Sequence, residues 1–182
     1  MNRWIAGVLC LTLMSGMAHA GEMLTVLLLP ARGEPVPVAD LAIEADGRYQ
    51  MVYRDAPFQP HFLSMRPFQC LAAPPKLQCH LPYPYANDRR ITEEDLGDLE
   101  YDLLFLVKQA DEFGIDFWNG RYYRLRREGD TIVGEAQAVD MNILASKPEA
   151  GDTRPIGDGD LTALGMAETP FPRLRIVAAE AK

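Results

Sequence analysis

Thr92-Glu93-Glu94-Asp95-Leu96-Gly97-Asp98-Leu99-Glu100-Tyr101-Asp102-Leu103-Leu104-Phe105-Leu106-Val107-Lys108-Gln109-Ala110-Asp111-Glu112-Phe113-Gly114 is the stretch on which the fold turns. Its apolar residues recur at Leu96, Leu99, Leu103, Leu106, Ala110 and Phe113, a spacing near 3.6 that draws a stripe down one side of a helix. The Thr92 hydroxyl stands where an N-cap belongs, and Asp95 three residues on can complete a capping box. Ile91 and Leu96 supply the apolar pair of a staple, and Gly114 falls where a left-handed terminator ends a helix. The pattern predicts one long helix over about 93–113, roughly 30 Å at 1.5 Å per residue. Leu104, Phe105 and Val107 add a second apolar face, so its middle is expected to be buried on more than one side. Lys108 lies off the stripe, and its replacement by Ala is expected to be nearly silent.

On both sides of this stretch the pattern is β. Thr25 to Leu29 is a strand-like run ended by Pro30. Leu41 to Ala45 and Arg48 to Tyr53 flank Asp46-Gly47, a strong two-residue hairpin signal in which both residues take positive φ. Ile115 to Trp118 and Arg121 to Arg127 flank Asn119-Gly120 in the same way. Phe62 to Met65, Thr131 to about Ile143 and Leu174 to Ala178 read as further strands, and residues 147–160, rich in Pro, Gly and Asp, read as a long exposed loop. The fold class expected is α+β: a hairpin-built antiparallel sheet, twisted or partly closed, with the one long helix packed on it.

Residues 1–20 read as a cleaved signal peptide. Arg3 gives a charged start, Trp4 to Met17 a short apolar core, and Ala18-His19-Ala20 a small-residue cleavage site. Residues 21–182 are then a single exported domain, periplasmic or secreted, with no membrane span in the mature chain. Loss of Arg3, the one charged residue of that segment, takes the formal net charge from −8 to −9. A surface this acidic disfavours nucleic acid and anionic membranes as partners. The two remaining cysteines, Cys70 and Cys79, are equidistant from Pro74-Pro75, and in an oxidising compartment are expected to staple a hairpin. With residues 73 and 76 as the first hydrogen-bonded pair, they meet at a non-hydrogen-bonded pair.

The chemistry-bearing residues are sparse. His61 and His80 lack metal-ligand spacing, and Ser64 and Ser146 sit in no nucleophile motif, so no catalytic residues, metal or cofactor are expected. The carboxylates on and beside the expected helix complement its dipole. The suggestive feature is Arg121 to Arg127, where Tyr122, Arg124 and Arg126 share one strand face and suit an anionic group. The competing expectation is cross-strand neutralisation, since a two-residue turn at Gly129-Asp130 places Arg124 opposite Glu135. Tyr83 and Tyr85 are a second candidate binding pair, forming a groove if they meet Pro57 to Phe62. The function expected is a soluble exported binding or accessory protein without catalytic activity, its partner an envelope protein or a small anionic ligand. The alternatives are a small exported hydrolase with a dispersed carboxylate and histidine site, and a subunit of a cell-envelope assembly.

Overall fold

The structure, a computed structural model, describes residues 21–64, 66–149 and 151–179. The signal-peptide reading of residues 1–20 lies outside them. Among the described residues eleven strands form: β1 (Glu22–Leu29), β2 (Val36–Ile43), β3 (Tyr49–Tyr53), β4 (Gln59–Phe62), β5 (Pro67–Ala73), β6 (Lys76–His80), β7 (Phe105–Gln109), β8 (Gly120–Glu128), β9 (Thr131–Val139), β10 (Thr162–Ala163) and β11 (Arg173–Ala178). The α-helix α1 is Gly97–Asp102. The strands join one antiparallel sheet in the order β3-β2-β1-β11-β9-β8-β7-β6-β5-β4, with β10 beside β9. The sheet curls into a half-barrel, and of the described residues 45% are in strands and 11% helical, so the expected α+β class with a long helix is overturned.

The error lies in residues 93–113. Thr92 does act as a local cap, its Oγ1 accepting the Asp95 N–H at 3.0 Å. The Asp95 carboxylate, however, turns to Arg154 and to the Gly97 N–H, and α1 begins only at Gly97. It ends after six residues, and the chain then extends as β7. Leu103 and Phe105 enter the inner core, while Leu104 and Leu106 enter a second core on the outer face. That alternation belongs to a strand covered on both sides, for which a continuous apolar run is the signature. Pairing with β6, in register from Lys76↔Gln109 to His80↔Phe105, overrides the local helical pattern. Phe113, assigned above to the buried stripe, is 95% exposed.

Two turns also differ. At Asp46-Gly47 only the glycine takes positive φ (83°); the Gly47 N–H bonds the Glu44 carbonyl at 3.0 Å and the Glu44 N–H bonds the Arg48 carbonyl at 2.7 Å. The loop therefore has three residues with a glycine bulge, and β2 and β3 still pair as a hairpin. Asn119-Gly120 makes no hairpin. Gly120 opens β8 against Val139, where an added Cβ would stand 2.5 Å from Met141 Cγ and 2.6 Å from the Val139 carbonyl oxygen. Its glycine answers to packing, not to a turn.

The other hairpins form as read. Cys70 and Cys79 are bonded, with Cα atoms 3.9 Å apart and Ala73 opposite Lys76. Gly129-Asp130 joins β8 to β9, with Arg124 opposite Glu135. The inner core gathers Val26, Leu28, Leu41, Leu99, Phe105 and Tyr123, and the outer one Tyr101, Leu104, Tyr122, Met141 and Ile156. Ile156 ties the 147–160 loop to that outer core. Among the described residues no helix is long and apolar enough to cross a membrane.

Candidate binding surface

The outer face is organised by Glu100. Although almost wholly buried, its carboxylate accepts from the Tyr122 hydroxyl and, at 2.6 Å, from the Leu125 N–H. Arg124 Nη1 stands 3.7 Å from the same carboxylate, its Nη2 pairs with Asp158, and its guanidinium lies 5.5 Å above the Tyr122 ring. Burial first, and then the Glu100 charge, pushes the Tyr122 phenol pKa up. Arg154 clamps the 147–160 loop to the start of α1, meeting Asp95 at 2.8 Å and Asp98 at 2.6 Å. A file of rings continues outward, Tyr122 to Tyr101 (5.8 Å), Tyr101 to Tyr83 (4.7 Å) and Tyr83 to Tyr85 (5.6 Å).

The structure thus brings Tyr83, Tyr85, Tyr122 and Arg124 into one neighbourhood and leaves Arg126 outside it. Tyr122 is 2% exposed and works as packing. Arg126 pairs with Glu128 at 2.8 Å and Glu135 at 3.5 Å, and Arg127 approaches Glu93 at 3.3 Å. The Arg124–Glu135 register is as expected, but Arg124 reaches toward α1 and leaves Glu135 to Arg126. Glu94, Asp95, Asp98, Glu100 and Asp158 outnumber Arg124 and Arg154, so the cleft between α1 and β8 is acidic. Phe58 packs edge-on against Tyr53 in the inner core, whereas Tyr83 and Tyr85 pack on the outer one, so the groove imagined between them does not form.

Beside Tyr85, whose hydroxyl donates to the Leu144 carbonyl at 2.7 Å, lies an apolar groove of about 350 Å³. Leu81, Pro82, Pro84, Phe117, Met141 and Leu144 line it. The β7–β8 connection contributes Phe117 (36% exposed) to its lining and also carries Phe113 (95%) and Trp118 (61%). Lys108 shapes that connection. Contrary to the expectation that its loss is nearly silent, it is buried, and its Nζ donates to the Glu112 carbonyl and, at 2.7 Å, to the Gly114 carbonyl. The sequence signal for this surface is the aromatic density of residues 113–118, which the helix stripe and an expected strand had absorbed.

The inner titratable groups serve the fold. Asp102 accepts from Tyr49 at 3.0 Å and Asn87 at 3.2 Å, and burial pushes its pKa up. The His80 ring lies 4.0 Å from Tyr53, and burial pulls its pKa down to about 4. His61 sits apart, opposite Phe68 in the β4–β5 pair. Among the described residues no group of three His, Cys, Asp or Glu is placed to hold a metal ion. Comparison with known proteins finds no matching family model, no matching curated protein and no matching solved structure.

Proposed function

We propose that the chain is an exported binding or accessory protein without catalytic activity, which docks a protein of the cell envelope through the β7–β8 connection and its groove. The observation that carries this reading is the exposure of Phe113, Phe117 and Trp118 within six residues, beside an apolar groove of side-chain size. Clustered exposed aromatics of this kind mark interaction sites, and aromatic anchors entering pockets dominate interface energies. A protein partner suits the surface better than a lipid one, because the chain's formal charge of −8 repels anionic membrane surfaces. Export is supported by the charged, apolar, small-residue order of residues 1–20 and by the Cys70–Cys79 disulfide.

A photoreactive amino acid at position 117, with a control at exposed Phe62, tests the reading in the native envelope. A discrete adduct from position 117 and none from position 62 is expected. Equal, diffuse labelling from both positions contradicts it.

A further inference from the structure

At the end of the half-barrel where β1 stops, an open cleft of about 710 Å³ lies between residues 30–36, residues 72–74 and residues 166–171. Pro30, Val36, Ala72, Pro74 and Phe171 give it apolar walls. Its charged residues are Arg32 and Glu34, both exposed, and the side chain of neither has an ion-pair or hydrogen-bond partner among the described residues. Gly33 stands between them without a side chain. Met166, 49% exposed, belongs to the same lining. Thr169 lines the cleft too, and its buried Oγ1 has no partner, so one polar group of the wall is left to be met from outside.

These features complement one another across a two-fold axis. One patch carries an unpaired cation with an unpaired anion, and an exposed apolar side chain beside an apolar hollow. An isologous contact requires this of a surface, because the same patch supplies both halves. Net charge points the same way. At −8, two copies repel wherever their acidic surfaces approach. At this end the charges balance: Arg32 against Glu34, Arg173 opposite Glu135 across the β11–β9 pair, and Lys76 beside Glu168, to whose carbonyl its Nζ donates at 3.1 Å. A ligand of single charge would satisfy Arg32 or Glu34 and leave the other unmet, whereas a second copy satisfies both.

We propose that this end of the half-barrel is a homodimer interface, with Arg32 of each copy paired to Glu34 of the other across Gly33 and Met166 of each set against the other's cleft. Exposed ion pairs contribute little each, and one cleft is a small contact by the standard of stable interfaces. The dimer is therefore weak, with a Kd of about 10 µM to 1 mM. The cleft shares no lining residue with the groove at Phe117, so the Phe117→Ser, Trp118→Ser double variant keeps the dimer.

Sedimentation equilibrium of the purified protein, from about 10 µM to about 1 mM, reads the association. A monomer–dimer equilibrium is expected. Arg32→Glu and Glu34→Arg should each weaken it about tenfold or more, since each turns both ion pairs into like-charge contacts. The two changes combined in one chain should restore it. The single changes move the net charge in opposite directions, so general repulsion between copies cannot mimic the result. Met166→Asp should weaken the dimer as well. All three side chains are exposed, and an unchanged melting temperature shows that each variant keeps the fold. A monomer throughout that range, growth beyond a dimer, association unmoved by either single charge reversal or by Met166→Asp, no recovery in the combined variant, or loss of the dimer in Phe117→Ser, Trp118→Ser overturns the proposal.

Discussion

Glu100 of α1 accepts the backbone N–H of Leu125 in β8 at 2.6 Å, so a side chain stands where β7 no longer runs beside the sheet. The same carboxylate holds the Tyr122 hydroxyl, and the two contacts fasten the helix to the outer face. A helix this short has little stability of its own, which leaves its position to this anchor, to the Arg154–Asp98 pair and to the burial of Leu99.

Glu100→Ala should therefore cost about 2–4 kcal/mol, since it strands a buried N–H and a buried hydroxyl together. Urea unfolding measures it. A loss below about 0.5 kcal/mol would show that water replaces the carboxylate.

Lys108→Ala should cost about 1–3 kcal/mol, because two carbonyls of the β7–β8 connection lose their donor. Hydrogen exchange should rise in residues 112–118 before it rises in β8. Unchanged exchange there would mean that the connection holds its shape without the lysine.

His80 gives the stability a pH dependence of predictable sign. Its folded pKa of about 4 lies below the ordinary 6.5, so the unfolded chain takes up the proton first. Stability is complete above about pH 6.5 and falls toward pH 4, by roughly 2–3 kcal/mol from this residue. Asp102 acts in the opposite sense, since its raised pKa favours the folded state as pH falls through the carboxylate range. His80→Phe keeps an aromatic ring against Tyr53 and should flatten the decline between pH 6.5 and 4 relative to the unsubstituted protein. Parallel profiles would remove His80 as the cause.

Reduction of Cys70–Cys79 should lower stability by about 2 kcal/mol, the scale of a short closed loop. Alkylation of the unreduced, denatured protein should find neither thiol free. Two labelled cysteines in material recovered from the envelope would contradict both the staple and the export reading.

Much of the sheet was legible because its signals are local. The symmetry of Cys70 and Cys79 about Pro74-Pro75 gave their register, and Gly129-Asp130 gave the pairing of Arg124 with Glu135. Residues 92–114 misled because Leu96, Leu99, Leu103 and Leu106 are buried in either conformation. The discriminating residues were Phe113 and Lys108, whose exposure and burial are the reverse of what a helix requires. Five unbroken apolar residues from Leu103 to Val107 were the local sign of a strand covered on both faces. The partner that decides it, β6, is distant in sequence and invisible to periodicity. Tyr83, Tyr85, Tyr122 and Arg124 could be named as candidates but not their burial or mutual pairing, and none of them lines the groove beside Phe117.

The docking claim is tested most directly by native mass spectrometry of the protein drawn from its own envelope, comparing it with the Phe117→Ser, Trp118→Ser double variant. Both side chains lie at the surface, so the melting temperature should stay within a few degrees. The account predicts a defined complex for the unsubstituted chain and its loss in the double variant. A complex of the same mass and abundance in both would contradict it.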